Sequence, residues 1–290
     1  MKLAVDSLVP FLRLGDEGMV KTIKDAGFDA LDFSFYNVPD NQSAIGDNYL
    51  ERAHEIRALL DKYGLACNQA HAPYNLEETE AFDLSNPRFK AQVRALEFAS
   101  ILGAKNIIVH AIKHISDKEH LFEVNYRFYK SFEPYCKEFG IHVAVENLWN
   151  RDEKRRSFVG VFGTAEELTR MVKMLDSPWF VACVDVGHAA LAGTEPEKFI
   201  AGMSPDILRC LHLHDTDYLS DTHTIPFLGG HNWDGITRAL AKIGYEGDFT
   251  LEILLYAGSF PDALLADSLV LAEKTGRQLI RMFEEAGRNG

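Results

Sequence analysis

The chain has 290 residues, with 30 lysines and arginines against 43 aspartates and glutamates, for a formal charge of −13. With 47% hydrophobic residues it can bury a sizeable core, which excludes a disordered chain. The excess acid argues against a duplex binder, which must neutralise phosphates, so no nucleic-acid partner is expected.

The elements follow one another in a regular alternation. The first apolar run is KLAVDS (2–7). It is not expected to be a secretory leader, because Asp6 and Arg13 interrupt the apolar stretch. A helix pattern over 16–27 follows, with Met19, Val20, Ile23 and Ala26 on one face and Gly27 to end it. The second run is DALDFS (29–34), followed by a helix over 47–64 that stops at Gly64. The third, LACNQAH (65–71), precedes a helix over 86–103 that opens on Asn86-Pro87, a cap with proline at the first helical position. The fourth, KNIIVHA (105–111), precedes a helix over 117–140. The fifth, IHVAVEN (141–147), is followed by a helix starting at Thr164, with glutamates in its first turn. The sixth, WFVACVD (179–185), leads to a short helix over 195–203. The seventh, ILRCLHLH (207–214), leads to a helix over 233–244. The eighth, DFTLEIL (248–254), leads to a long helix over 261–287.

Eight strand–helix units in 290 residues average about 36 residues each, the repeat of a parallel (β/α)8 TIM barrel. An open doubly wound sheet competes, but it usually carries a glycine-rich phosphate loop after its first strand, and none is present. No linker or composition break divides residues 1–290, so one α/β barrel domain is expected. No stretch supplies the roughly 18 apolar residues of a membrane helix. Cys67, Cys136, Cys183 and Cys210 show no metal-site spacing and read as buried reduced thiols, which favours a cytoplasmic location.

Strand C-termini form the active face of such a barrel. The polar residues that end the eight runs are Asp6, Asp32 with Ser34, His71, His110, Glu146, Asp185, His214 and Glu252. Converging carboxylates would repel one another without a cation. Mixed oxygen and nitrogen donors suit Mn²⁺, Co²⁺, Mg²⁺ or Zn²⁺. The turn Asp185-Val-Gly-His188 adds an imidazole, and the seventh loop adds Asp215, Asp217, Asp221, His223 and His231. Alternation puts His212 and His214 on one face, with His212 a layer deeper. His214, nearer the rim, is the expected ligand, and His212 a core or supporting residue.

The motifs HAPY (71–74), VENL (145–148), DVGH (185–188), HLHD (212–215), the stretch from His223 through LGGHNWDGI to residue 236, and LEI (251–253) resemble the xylose isomerase-like TIM-barrel superfamily. That group of sugar-phosphate isomerases and epimerases includes ketose 3-epimerases and endonuclease IV. The resemblance implies a divalent metal held by Glu146, Asp185, His214 and Glu252. It implies an acid/base pair in Glu146 and Glu252, and a substrate contact at His188. His71, His110, His223 and Trp149 are further candidate substrate contacts. Tyr36, Tyr74, Trp149 and Phe227 are candidates for an apolar wall. The epimerases commonly carry an arginine after the strand-seven histidine; this chain has Asp217 and Tyr218 there, so substrate orientation does not transfer.

The implied activity is metal-dependent isomerisation or epimerisation of a keto-sugar or sugar phosphate, through a cis-enediolate. Three rivals remain at this level. The first is dehydration of a keto-polyol such as an inosose. The second is a multi-zinc phosphodiesterase like endonuclease IV, for which His71, His110, His188, Asp221 and His223 supply extra donors. Charge opposes it, as does the absence of cations from residues 35–47. The third is a non-catalytic sugar-binding barrel. Arg151, Lys154, Arg155 and Arg156 form a basic cluster that could meet a phosphorylated sugar. The expected partners are a small polyhydroxy substrate and, from the resemblance, further copies of the chain.

Overall fold

The computed structural model describes residues 1–36, 45–73, 75–113, 115–154 and 156–289. Tyr74 and Arg155 lie outside these residues. In chain order, the first half holds β1 (Leu3–Asp6), α1 (Leu8–Asp25), β2 (Ala30–Ser34), α2 (Tyr49–Tyr63), β3 (Ala66–His71), α3 (Pro87–Leu102), β4 (Asn106–Val109), α4 (Lys118–Lys130), α5 (Glu133–Phe139) and β5 (His142–Glu146). The second half holds β6 (Trp149–Arg151), β7 (Ser157–Val159), α6 (Ala165–Leu175), β8 (Phe180–Asp185), α7 (Val186–Leu191), α8 (Pro196–Ala201), β9 (Leu208–His212), α9 (Trp233–Lys242), β10 (Phe249–Leu251), α10 (Leu254–Gly258) and α11 (Asp262–Asn289).

Eight of these strands form one parallel sheet in the order β10-β1-β2-β3-β4-β5-β8-β9. The sheet closes on itself. Leu213 bridges Leu251 in parallel, and the Leu213 and Glu252 amides donate to Thr250 and Leu213 carbonyls at 2.8 and 3.2 Å. All eight expected strands are present, in a TIM barrel.

Alternation along the strands sorts two cores. Val143, Val145, Ala182, Val184, Leu211 and Leu213 face outward into the large core beneath the helices. Ile108, Ala144, Val181, Cys183 and Cys210 face inward as a small apolar plug. Two residues further along the same inward faces come His110, Glu146, Asp185 and His212. The plug is therefore the floor on which the polar residues stand.

Several helix ends follow local chemistry. The Asn86 side chain accepts from the Arg88 and Phe89 amides, and Gly103 takes φ 93° to close α3. Thr164 accepts from the Glu167 amide at the start of α6.

Other elements differ from expectation. The first helix starts at Leu8 rather than 16 and bends at Gly15, whose φ of 68° no ordinary helix residue adopts. The 117–140 segment breaks into α4 and α5 ahead of Pro134, which cannot donate into a continuing helix. The antiparallel hairpin β6–β7 and the short helices α7 and α10 add to the expected pattern. All four cysteines are buried and unpaired.

Candidate functional site

The barrel mouth gathers polar side chains that are almost wholly buried. Glu146 is 1% exposed, and Asp185, His212 and His214 are each at 0%. Donor atoms of Glu146, Asp185, His212 and Glu252 all lie within 4.8 Å of one another. His212 Nδ1 stands 2.6 Å from Glu146 Oε1, 3.4 Å from Glu252 Oε2 and 3.8 Å from Asp185 Oδ2.

Two histidines at the end of β9 reach the centre: His212 in this group, and His214, the expected ligand, in a neighbouring donor group with His223 and Glu252. Strand register gives the reason: Asp185 pairs directly with His212 across β8 and β9, after a shift between Ala182 and Cys183. His212 is thus level with Asp185, while the Leu213–Leu251 bridge brings His214 level with Glu252. His214 Nε2 lies 3.1 Å from Asp185 Oδ1. Its ring stacks on His223 at 4.1 Å with 8° between the planes. Its other side fills the space where Gly187 has no side chain: a Cβ there would come within 2.0 Å of Cε1. His214 also offers a nitrogen to a donor group with His223 and Glu252.

Two further donor groups flank the centre. One is His71, His110 and Glu146; the other is His188, Asp221 and His223. His71 and His110 face each other through Nε2 at 3.1 Å, and His110 Nε2 is 2.8 Å from Glu146 Oε2. His223 Nε2 is 3.1 Å and His188 Nε2 3.6 Å from Asp221 Oδ2.

All four imidazoles share one arrangement. Their Nδ1 atoms meet oxygens on the outside: Ala72 O at 3.1 Å, Asn75 Oδ1 at 3.0 Å, Asn147 O at 3.0 Å and Glu252 O at 3.0 Å. In the neutral ring, an oxygen that takes the Nδ1 proton leaves the inward Nε2 free to accept, the form a metal-binding histidine uses. Asp221 Oδ1 is buried with no hydrogen-bond partner. The donor chemistry and that orphaned oxygen fit a bound divalent cation.

Supporting contacts hold these groups. Asp32 Oδ2 lies 3.4 Å from His212 Nε2 and accepts from Gln69 Nε2 at 2.8 Å. Asn147 clamps Asp185 by giving its amide to the Asp185 carbonyl and accepting the Asp185 N–H. Asp6 accepts the Leu8 and Ile253 amides, which fixes β10's exit beside Glu252. Sequence reasoning did not single out Asn147 or Gln69. The signal for Asn147 was its place directly after Glu146 in the VENL motif.

The electrostatics are uneven across the site. Burial raises the Glu252 carboxyl to about 8, against the pull of His212 and His223. Burial acts the same way on Glu146, but His212 and His110 outweigh it and hold that carboxyl well below the usual range. Burial and the neighbouring His110 push the His71 imidazole down to about 3. His188 resists its burial because Asp185 and Asp221 face it, and it rises to about 10.

A cavity of about 410 Å³ opens over these groups. His71, His110, His188, His223 and Trp149 all line it, as does Tyr36. Phe227 does not; it is 46% exposed, on the outer side of the seventh loop. Asp215, Asp217 and His231 are also elsewhere. Asp215 takes the Thr216, Phe227 and His231 amides and the Trp233 indole, so it organises the loop. Gly229 allows that turn, because a Cβ there would lie 2.3 Å from Asp215 Oδ1. Asp217 caps an exposed turn at Leu219 and Ser220, and His231 packs against Thr216. Of the basic cluster, Arg156 pairs with Asp152, while Arg151 turns toward the cavity.

Comparison with known proteins agrees with this architecture. The family profile described as "Xylose isomerase-like TIM barrel" matches residues 20–273. The uncharacterised protein y4fM of Sinorhizobium fredii is 25% identical over 271 residues, covering 82% of this chain and 81% of that protein. Fructoselysine 3-epimerase of Escherichia coli O157:H7 is 28% identical over 120 residues, 41% of each chain. Among solved structures, a D-tagatose 3-epimerase-like protein superposes with a TM-score of 0.76 at 21% identity, covering 98% of this chain and 99% of that one.

Proposed function

Because the chain belongs to the xylose isomerase-like TIM-barrel family, we propose that it is a metal-dependent isomerase or epimerase of a keto-sugar-like substrate. The observation that carries this reading is the convergence of Glu146, Asp185, His212 and Glu252, of which Glu146 and Glu252 line one cavity. Glu146, Asp185 and Glu252 would hold the cation, with His214 or the deeper His212 completing the set. A divalent cation there supplies Lewis acidity, which polarises a substrate carbonyl and acidifies the neighbouring C–H.

The chain's own groups do the rest. One of the two glutamates takes the proton from the carbon next to the carbonyl, leaving a cis-enediolate. The other returns a proton to the opposite face or the adjacent carbon. His188, at the cavity wall, orients a substrate oxygen, with His71, His110 and His223 alongside it. Trp149 and Tyr36 line the cavity as its aromatic wall. The substrate is a small polyhydroxy carbonyl compound. Glu252→Gln abolishes exchange of the substrate α-proton with deuterated solvent while metal is retained in part. Undiminished exchange in that variant removes Glu252 from the acid/base pair.

A second reading has its own observation. The two flanking donor groups, with four imidazoles all turned Nε2-inward, suit additional cations. That favours a multi-metal hydrolase acting on a phosphodiester. Metal analysis of the purified protein separates the two. About one ion per chain supports the isomerase, and about three, with cleavage of an abasic duplex, supports the hydrolase.

A further inference from the structure

The cavity has two chemically different ends. Its foot carries the carboxylates and imidazoles described above. Its mouth carries Lys113 and Arg151, the two Lys or Arg side chains among the described residues that line it. Both lie beyond strand C-termini, Lys113 four residues past β4 and Arg151 five residues past Glu146.

Neither cation is satisfied by the protein. Lys113 is half-buried and makes no hydrogen bond or ion pair with any described residue. Arg151 lies flat over the Trp149 ring, 4.8 Å from its centroid. Its Nε is buried without a partner, and its one side-chain hydrogen bond is a 3.5 Å contact to Leu219 O. Burying donors this way costs stability unless something accepts from them. In a chain of net charge −13, carboxylates abound, and Glu146 and Asp221 line the same cavity, yet none among the described residues comes within ion-pair distance of either cation.

We propose that Lys113 and Arg151 form an anion subsite at the cavity mouth, and that the substrate bears a phosphate or carboxylate at the end remote from its carbonyl. The subsite rests on the keto-sugar reading only for the identity of the other end. A guanidinium braced on an indole offers a fixed fork to an oxyanion, and a flexible ammonium adds a second donor. The acidic foot repels the anionic end, so the two ends together fix which way the substrate lies. At about 410 Å³ the cavity falls in the range of small-molecule sites.

The test uses the full chain loaded with its metal. Calorimetric titration compares D-fructose, D-fructose 6-phosphate and D-fructuronate. At least one anionic ketose binds about tenfold or more tightly than the neutral one; which one wins identifies phosphate or carboxylate as the source. The anionic-to-neutral preference falls toward one in Lys113→Met and in Arg151→Gln, and largely returns in Arg151→Lys. Equal binding of all three ketoses, or a preference that survives both charge-removing variants, overturns the subsite. Solvent-proton exchange is read on the same samples. Missing exchange with an intact anionic preference counts against the isomerase reading and supports the subsite.

Discussion

Removing the imidazole of His212 and removing that of His214 have unequal consequences. His212 stands among three carboxylates, whereas His214 steadies Asp185 and packs between Gly187 and His223. His212→Ala therefore weakens divalent-metal affinity by more than about 100-fold. His214→Ala stays within the roughly 10–100-fold typical of a residue that orients a ligand. Metal titration of both variants checks this, and equal losses would return His214 to the ligand set. The sequence alone placed both rings on the right face, because alternation does that. It ranked His214 first as the residue nearer the rim, and the two variants decide that ranking. Depth in the barrel depends on how β9 registers against β8, and that register shifts at Ala182–Cys183. The other three central residues were legible because each closes an apolar run. Lys113 was not, because it follows its strand by several residues and no motif marks it.

Secondary-structure elements were readable wherever periodicity was strong. The eight apolar runs all became strands, since most of their residues are buried. The hairpin β6–β7 was missed because WNR and SFV are too short to show alternation, and the charged segment between them reads as a loop. The α4–α5 break is held by charge as well as by Pro134. Glu133 pairs with Lys130 at 2.5 Å and Lys137 at 2.9 Å and accepts from Ser177 at 3.0 Å, which ties three elements together. Lys130 and then Lys137 hold its carboxyl down at about 2, below an ordinary glutamate near 4.5. The lowered value means that this pairing stabilises the fold fully above about pH 4.5 and ceases to do so as pH falls toward 2. Wild type and Glu133→Gln should thus differ in unfolding free energy from urea titration at pH 6, by about 1 kcal/mol or less for pairs whose lysines reach solvent. The two should converge at pH 2.5. A difference that persists there assigns the effect to packing instead.

For the molecule as a whole, the negative charge has acquired a location. Glu146, Asp185, Asp221 and Glu252 concentrate part of it at one mouth, where the proposed cation would offset it, and Lys113 and Arg151 line the same cavity. Among the described residues, no helix is long and apolar enough to cross a membrane. The two ends of the barrel wall meet at β10, a strand of three residues. Its neighbour β1 begins at Leu3, and Arg277 on α11 reaches back to Asp29, beside β2, through two hydrogen bonds.

That seam sets an order on biosynthesis. A ribosome delivers β1 first and β10 some 245 residues later, so the first strand waits through nearly the whole of translation for one of its partners. Glu252 arrives with that same late strand. A nascent chain thus holds three of the four central donors but lacks the fourth until the barrel can shut. Capture of the proposed cation would then be coupled to completion of the wall, and a stalled or shortened product would lack the full donor set.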